Sequence, residues 1–173
     1  LHPHGFGLYQ AEQPAVSMEC GPNAQEVRLM RATRTVHIDA KPEQVESFFL
    51  DSTATPAGMT METVYESPDV VGNSYEWTFK MFGIPRKGVT VYTDYVPGER
   101  MTVRNFGAME GTATYAIEPE DDGSKLTIQA DSRLAVPLIG RFLDPILEKE
   151  WEKNLAWGKQ EIEKRAKGNK TTA

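Results

Sequence analysis

The sequence is poor in the residues that build covalent or metal-based sites. Its 173 residues include one cysteine, Cys20, and three histidines. A single cysteine excludes an internal disulfide framework and a zinc site made of several cysteines. The sequence also has no glycine-rich phosphate loop, metal-ligand cluster or nucleophile elbow. We therefore predict no catalytic residue, no metal site and no cofactor.

Positive charge and long apolar runs are also scarce. Nineteen basic side chains stand against 25 acidic ones, which gives a formal net charge of −6. A protein that binds nucleic acid needs a basic face to neutralise phosphates, so we expect no nucleic-acid partner. No run approaches the roughly 18 consecutive apolar residues of a membrane-spanning helix. We therefore expect no transmembrane segment and a cytoplasmic location.

The chain has enough apolar residues for one core. Hydrophobic residues make up 39% of it, and a chain of this length buries about 70% of its unfolded surface on folding. Residues 1–26 contain prolines and glycines without a hydrophobic period, which predicts an irregular or partly disordered extension. Residues 27–167 form the predicted ligand-binding domain, and residues 168–173 a flexible C-terminal tail.

Short runs of alternating hydrophobicity fill most of this domain. Residues 27–39 predict a first strand, and Lys41-Pro42-Glu43 predicts the start of a helix, because proline suits the first turn. Six more strands are predicted, at residues 61–67, 74–82, 87–96, 100–106, 111–118 and 125–134. The linkers between them are short, which indicates antiparallel neighbours, because a parallel crossover needs about a dozen residues or more.

Residues 138–167 predict a long final helix. One stripe along this helix is apolar, and it consists of Leu143, Leu147, Trp151, Leu155 and Ile162. A meander of strands is apolar on one face, and only this helix is long and apolar enough to cover that face. We therefore predict an α+β fold in which a curved antiparallel sheet of about seven strands wraps around the helix. One or two short helices follow the first strand, and a cavity is expected between sheet and helix.

Several segments carry a resemblance to a known superfamily. They are Arg34–Val45, Thr93–Met101, the strand Gly123–Ile128 and the closing amphipathic helix. On these residues the chain resembles the helix-grip superfamily (SRPBCC), which includes START domains, polyketide cyclase/dehydrase-like proteins and coenzyme-Q-binding proteins. The resemblance covers roughly residues 31–165 and implies the helix-grip fold. It does not select one function, because this fold hosts carriers, sensors and enzymes.

Alternation along the strands predicts which side chains face the helix. On the third strand Tyr75, Trp77 and Phe79 share one face, whereas Glu76, Thr78 and Lys80 share the other. The same reasoning over the other strands and the last helix predicts a ligand-binding set of Tyr75, Trp77, Phe79, Val91, Thr93, Val103, Asn105, Tyr115, Ile128, Leu147, Trp151 and Asn154. Large apolar walls with few polar groups are typical of sites for small lipophilic ligands. A bulge, for which Gly107 is a candidate position, would reverse this parity.

Three classes of function fit these patterns. The first is binding or transport of a hydrophobic small molecule such as a lipid, an isoprenoid quinone or a polyketide. The resemblance also implies an alternative, a polyketide aromatase/cyclase or dehydratase in which Tyr75, Tyr115 and an arginine handle protons. Arg104 and Arg133 have outward parity and would need a bulge to enter the cavity. The third class is a protein-interaction domain that docks through residues 1–26 or through the lysine-rich end of the last helix.

Overall fold

Seven strands and two helices follow one another in the predicted order. The computed structural model describes residues 25–81, 83–137 and 144–170. The elements are β1 (Gln25–Ile38), α1 (Pro42–Leu50), β2 (Met59–Tyr65), β3 (Ser74–Met81), β4 (Ile84–Val96), β5 (Arg100–Gly107), β6 (Met109–Glu120), β7 (Gly123–Pro137) and α2 (Asp144–Lys170). The strands form one antiparallel sheet in the order β1-β7-β6-β5-β4-β3-β2. The predicted helix-grip architecture is confirmed.

The boundaries differ most at the two ends of the domain. β1 begins at Gln25, inside the predicted extension, and α2 continues to Lys170, inside the predicted tail. The rest of the predicted extension and tail, residues 1–24 and 171–173, lies outside the described residues, as does the predicted helix start at 138–143. At the N-terminus of the described helix, Pro145 occupies the first turn, where its missing N–H removes no helical hydrogen bond.

Helix α1 is short and is fixed at its first turn. Pro42 begins the helix, and the side chain of Gln44 accepts a hydrogen bond of 3.0 Å from the Lys41 N–H. Val45 and Phe48 are its buried residues, and they anchor α1 over one end of the sheet. Residues 51–58 then lead to β2 without a second helix.

The C-terminal half of α2 is the firmly packed half of that helix. Ile162 and Ala166 are only 1% and 3% exposed. The Lys159 ammonium donates a hydrogen bond of 2.6 Å to the carbonyl oxygen of His37 at the end of β1. Nearer the N-terminus, the core-facing residue Trp151 is only partly buried. The C-terminal half of the helix is therefore seated against β1 and α1.

In the part of the chain that the structure describes, neither helix is long and apolar enough to cross a membrane. The cytoplasmic location stays a prediction.

Candidate functional site

The face of the sheet that packs against α2, here called the concave face, carries most of the predicted site residues. Five of them are buried on this face with exposures of 2–8%: Tyr75, Trp77, Val103, Asn105 and Ile128. Phe79 and Tyr115 share the face but keep part of their surface accessible. Strand alternation thus assigns their orientation correctly on β3, β5, β6 and β7, and their contact with a ligand stays a prediction.

The prediction that Val91 and Thr93 face the helix is wrong. Val91 pairs with the exposed Arg104 on the opposite, convex face of the sheet, and Thr93 is itself exposed. The inward positions of β4 belong to Thr90 and Tyr92 instead.

A β-bulge at Thr93 causes this error. Tyr92 and Asp94 pair with adjacent residues of β5, so Thr93 between them has no register partner, although its hydroxyl donates to the carbonyl oxygen of Thr102 at 3.3 Å. One extra residue reverses the alternation of side chains along a strand. The bulge therefore lies on β4 and not at Gly107, which pairs with Gly88 in regular register.

The predicted site residues on helix α2 differ in how far they are buried. Trp151 and Leu155 are partly buried against the core, as the stripe predicts. Asn154 is exposed, so its predicted inward orientation is wrong, because it lies at the margin of the apolar stripe. The side chain of Leu147 lies outside the described residues. The indole Nε1 of Trp151 is buried and has no hydrogen-bond partner among the described residues.

A partly buried hydrogen-bond relay crosses three strands of the concave face. The Trp77 indole N–H donates to Thr90 Oγ1 at 3.1 Å, and that hydroxyl donates to Asn105 Oδ1 at 2.5 Å. The direction of the relay is fixed, because an indole only donates and a hydroxyl has one proton. The relay therefore occupies the oxygen of Asn105 and leaves its amide N–H groups available as donors.

Thr90→Val should test this relay. The variant leaves the buried Trp77 N–H without an acceptor, and we expect the free energy of unfolding to fall by about 1–3 kcal/mol. Thr93→Val, the same change on the exposed bulge, should cost about 0.5 kcal/mol or less. Urea unfolding followed by tryptophan fluorescence measures both losses. Equal losses in the two variants would contradict the relay and the assignment of the two faces.

The inward tyrosines are weak acids in this environment. Burial raises the pKa values of the Tyr75, Tyr92 and Tyr115 hydroxyls. The Tyr92 hydroxyl donates to the carbonyl oxygen of Phe49 at 2.6 Å and so ties α1 to the sheet. These phenols stay protonated near neutral pH, where they serve as hydrogen-bonding groups and not as bases.

Arg86 is an inward residue that the sequence analysis missed. It pairs with Phe79 across β3 and β4 and alternates with Gly88 and Thr90, which places it on the concave face. Its Nε atom is buried and has no hydrogen-bond partner among the described residues. The inward Arg34, in contrast, forms an ion pair with Glu148 of α2.

The two arginines considered in the sequence analysis lie elsewhere, and so does His37. Arg104 and Arg133 are exposed, and Arg104 stacks on the ring of Phe106 at 5.1 Å. His37 is also exposed, and its Nδ1 lies 2.5 Å from Glu120. None of the three therefore faces the space beneath α2.

Some inward side chains of the sheet and of α2 are only partly buried and keep accessible surface. Tyr115 and Ala130 do so on the sheet, and Trp151 and Leu155 do so on α2, although all four pack against the core cluster. Burial also raises the pKa of Tyr115. Among the described residues, these four side chains are therefore candidates for contact with a ligand.

Comparison with known proteins finds the same architecture elsewhere. A family described as polyketide cyclase / dehydrase and lipid transport matches residues 30–167. No curated protein sequence matches the chain. Among solved structures, a protein from Thermus thermophilus superimposes with a TM-score of 0.65 at 18% identity and covers 82% of this chain and 99% of its own.

Two further solved structures are similar. A protein from Chromobacterium violaceum is 23% identical with a TM-score of 0.57, and the match covers 78% of this chain and 96% of that one. The Zhui aromatase/cyclase from a Streptomyces species is 12% identical with a TM-score of 0.61, and the match covers 81% of this chain and 94% of that one. At these identities the similarity establishes the fold and leaves the function open.

Proposed function

Because the chain belongs to the polyketide cyclase/dehydrase and lipid transport family, we propose that it binds or carries a hydrophobic small molecule between the concave face and α2. The observation that carries the proposal is the accessible surface on the opposed inward side chains of Tyr115 and Trp151. Apolar walls with a few placed polar groups suit a lipid, an isoprenoid quinone or a polyketide-like molecule.

The pKa values of the inward tyrosines help to decide between ligand binding and an aromatase/cyclase or dehydratase activity. A general acid or base works best when its pKa lies near the working pH. Burial raises the pKa of Tyr75 and of Tyr115, the two tyrosines considered as proton carriers. Their environment supports a binding role over acid–base catalysis, and we propose no reaction.

Ala130→Phe should test where the ligand lies. Ala130 faces the space beneath α2, so the larger side chain should fill it and weaken binding of the neutral apolar dye N-phenylnaphthylamine by about tenfold or more. The matched control is Ala116→Phe, on the convex face of the neighbouring strand. It should leave the dye affinity within about twofold.

Fluorescence titration of the dye measures these affinities, with circular dichroism to verify that each variant is folded. The wild-type chain should bind the dye saturably. Failure of the wild type to bind, or an equal loss in both variants, would overturn the proposed function.

A further inference from the structure

We infer that the ligand carries an anionic oxygen group, such as a carboxylate, which Arg86 binds at the β3–β4 hairpin end of the concave face. This inference rests on the proposed function and names the chemical class of its ligand. Its starting point is the orientation of Arg86, which shares the concave face with Trp77 and Phe79. Its Nε–H is buried and unpartnered among the described residues.

Arg86 is partly buried, and its buried Nε–H has no acceptor among the described residues. The arginine side chain carries a positive charge, and an anionic oxygen is the strongest acceptor for its N–H groups. Burying an N–H group of a charged side chain without an acceptor is unfavourable. Four other arginines of the described chain each pair with a carboxylate, in the pairs Arg31–Asp131, Arg34–Glu148, Arg100–Asp94 and Arg165–Asp51. Among the residues that the structure describes, Arg86 forms no such pair.

The neighbours of Arg86 on the concave face supply no counter-charge. Its neighbours there are the aromatic residues Trp77 and Phe79 of β3, and Gly88 and Thr90 of its own strand. The carboxylate of Glu76 on β3 lies on the convex face, 3.7 Å from the ammonium of Lys87. An anion for Arg86 must therefore come from outside this group of residues.

The other polar groups left over in the interior are also donors. The relay leaves the amide N–H groups of Asn105 available, and the indole Nε1 of Trp151 has no partner among the described residues. Donors without acceptors are matched by a ligand that presents oxygen acceptors. The planar fork of the guanidinium fits a carboxylate with two parallel hydrogen bonds, which makes Arg86 the strongest of these donors for an anion.

The arrangement also predicts the orientation of the ligand. Arg86 lies four residues before Thr90 on β4, a separation of roughly 13 Å along an extended strand. The acidic end would bind near the hairpin, and the apolar body would extend along β4 towards Asn105 and Tyr115. The ligand class is thus an acidic amphiphile with a chain or ring system of about this length.

A pair of probes that differ only in charge tests the inference. The probes are dansyl-labelled undecanoic acid and its methyl ester, titrated at neutral pH against the full chain. The wild type should bind the acid about tenfold or more tightly than the ester. Arg86→Gln should remove that preference by weakening the acid about tenfold while leaving the ester within about twofold. Arg86→Lys keeps the charge but not the planar fork, so its preference for the acid should lie between those of the wild type and of Arg86→Gln.

Arg104→Gln, on the convex face, is the matched control and should change neither affinity. Equal affinity of the wild type for acid and ester, or an Arg86→Gln variant that keeps the preference for the acid, would overturn this inference alone. A wild-type chain that binds neither probe would overturn the proposed function as well.

Discussion

Replacing Gly88 by alanine should destabilise the protein by about 3 kcal/mol, a large part of the stability of a domain of this size. A Cβ atom at this position would lie 2.1 Å from Cζ2 of Trp77 and 2.4 Å from the carbonyl oxygen of Phe106. Trp77 is 2% exposed and is held by its bond to Thr90, so its ring has no free direction in which to move. The Phe106 oxygen belongs to the backbone of β5 and cannot withdraw either.

Gly158→Ala is the matched control for this prediction. Gly158 lies inside α2, and an added Cβ would meet only Cε1 of Phe48 at an ordinary contact distance of 3.9 Å. Alanine is the better helix former, so this variant should gain about 0.5–1 kcal/mol. Urea unfolding followed by circular dichroism measures both changes. A Gly88→Ala variant as stable as the wild type would show that Trp77 does not lie against Gly88.

Two truncations on α2 should separate the half that packs in the core from the half that borders the proposed site. Ile162 is 1% exposed, so Ile162→Ala leaves a cavity in packed core and should cost about 3 kcal/mol. Leu155 is only partly buried, so Leu155→Ala removes less packed surface and should cost about 1 kcal/mol.

The order of the two variants should be reversed for ligand binding, where Leu155→Ala should have the larger effect. Leu155→Ala should weaken N-phenylnaphthylamine binding several-fold, because its side chain borders the proposed site, whereas Ile162→Ala should leave the affinity of the folded protein unchanged. Chemical denaturation and dye titration on the same two samples provide both readouts. A loss of stability in Leu155→Ala as large as that in Ile162→Ala would mean that the two halves of α2 are packed alike.

Much of the fold could be predicted because its signals are local. The strands of the meander are joined by short turns, and regular register carries the inward pattern of Trp77, Asn105 and Tyr115 from one strand to the next. The final helix follows from a stripe of apolar residues along one face. Local periodicity is sufficient to predict which way side chains point where neither a bulge nor the end of a strand interrupts it.

The errors in the predicted site come from such interruptions. The bulge at Thr93 reversed the parity of β4, and its sequence does not differ visibly from a regular strand. Arg86 was overlooked because Gly83 and Pro85 predict a turn, whereas β4 already begins at Ile84. The relay through Thr90 depends on distances between three strands, which no local pattern contains.

We propose that an apolar ligand binds between the concave face and the N-terminal half of α2. A crystal structure of the full chain with bound N-phenylnaphthylamine tests it most directly. We predict the dye between the sheet and α2, in contact with Tyr115 and Trp151. A structure in which these two side chains fill that space themselves, with the dye bound elsewhere or absent, would contradict the claim.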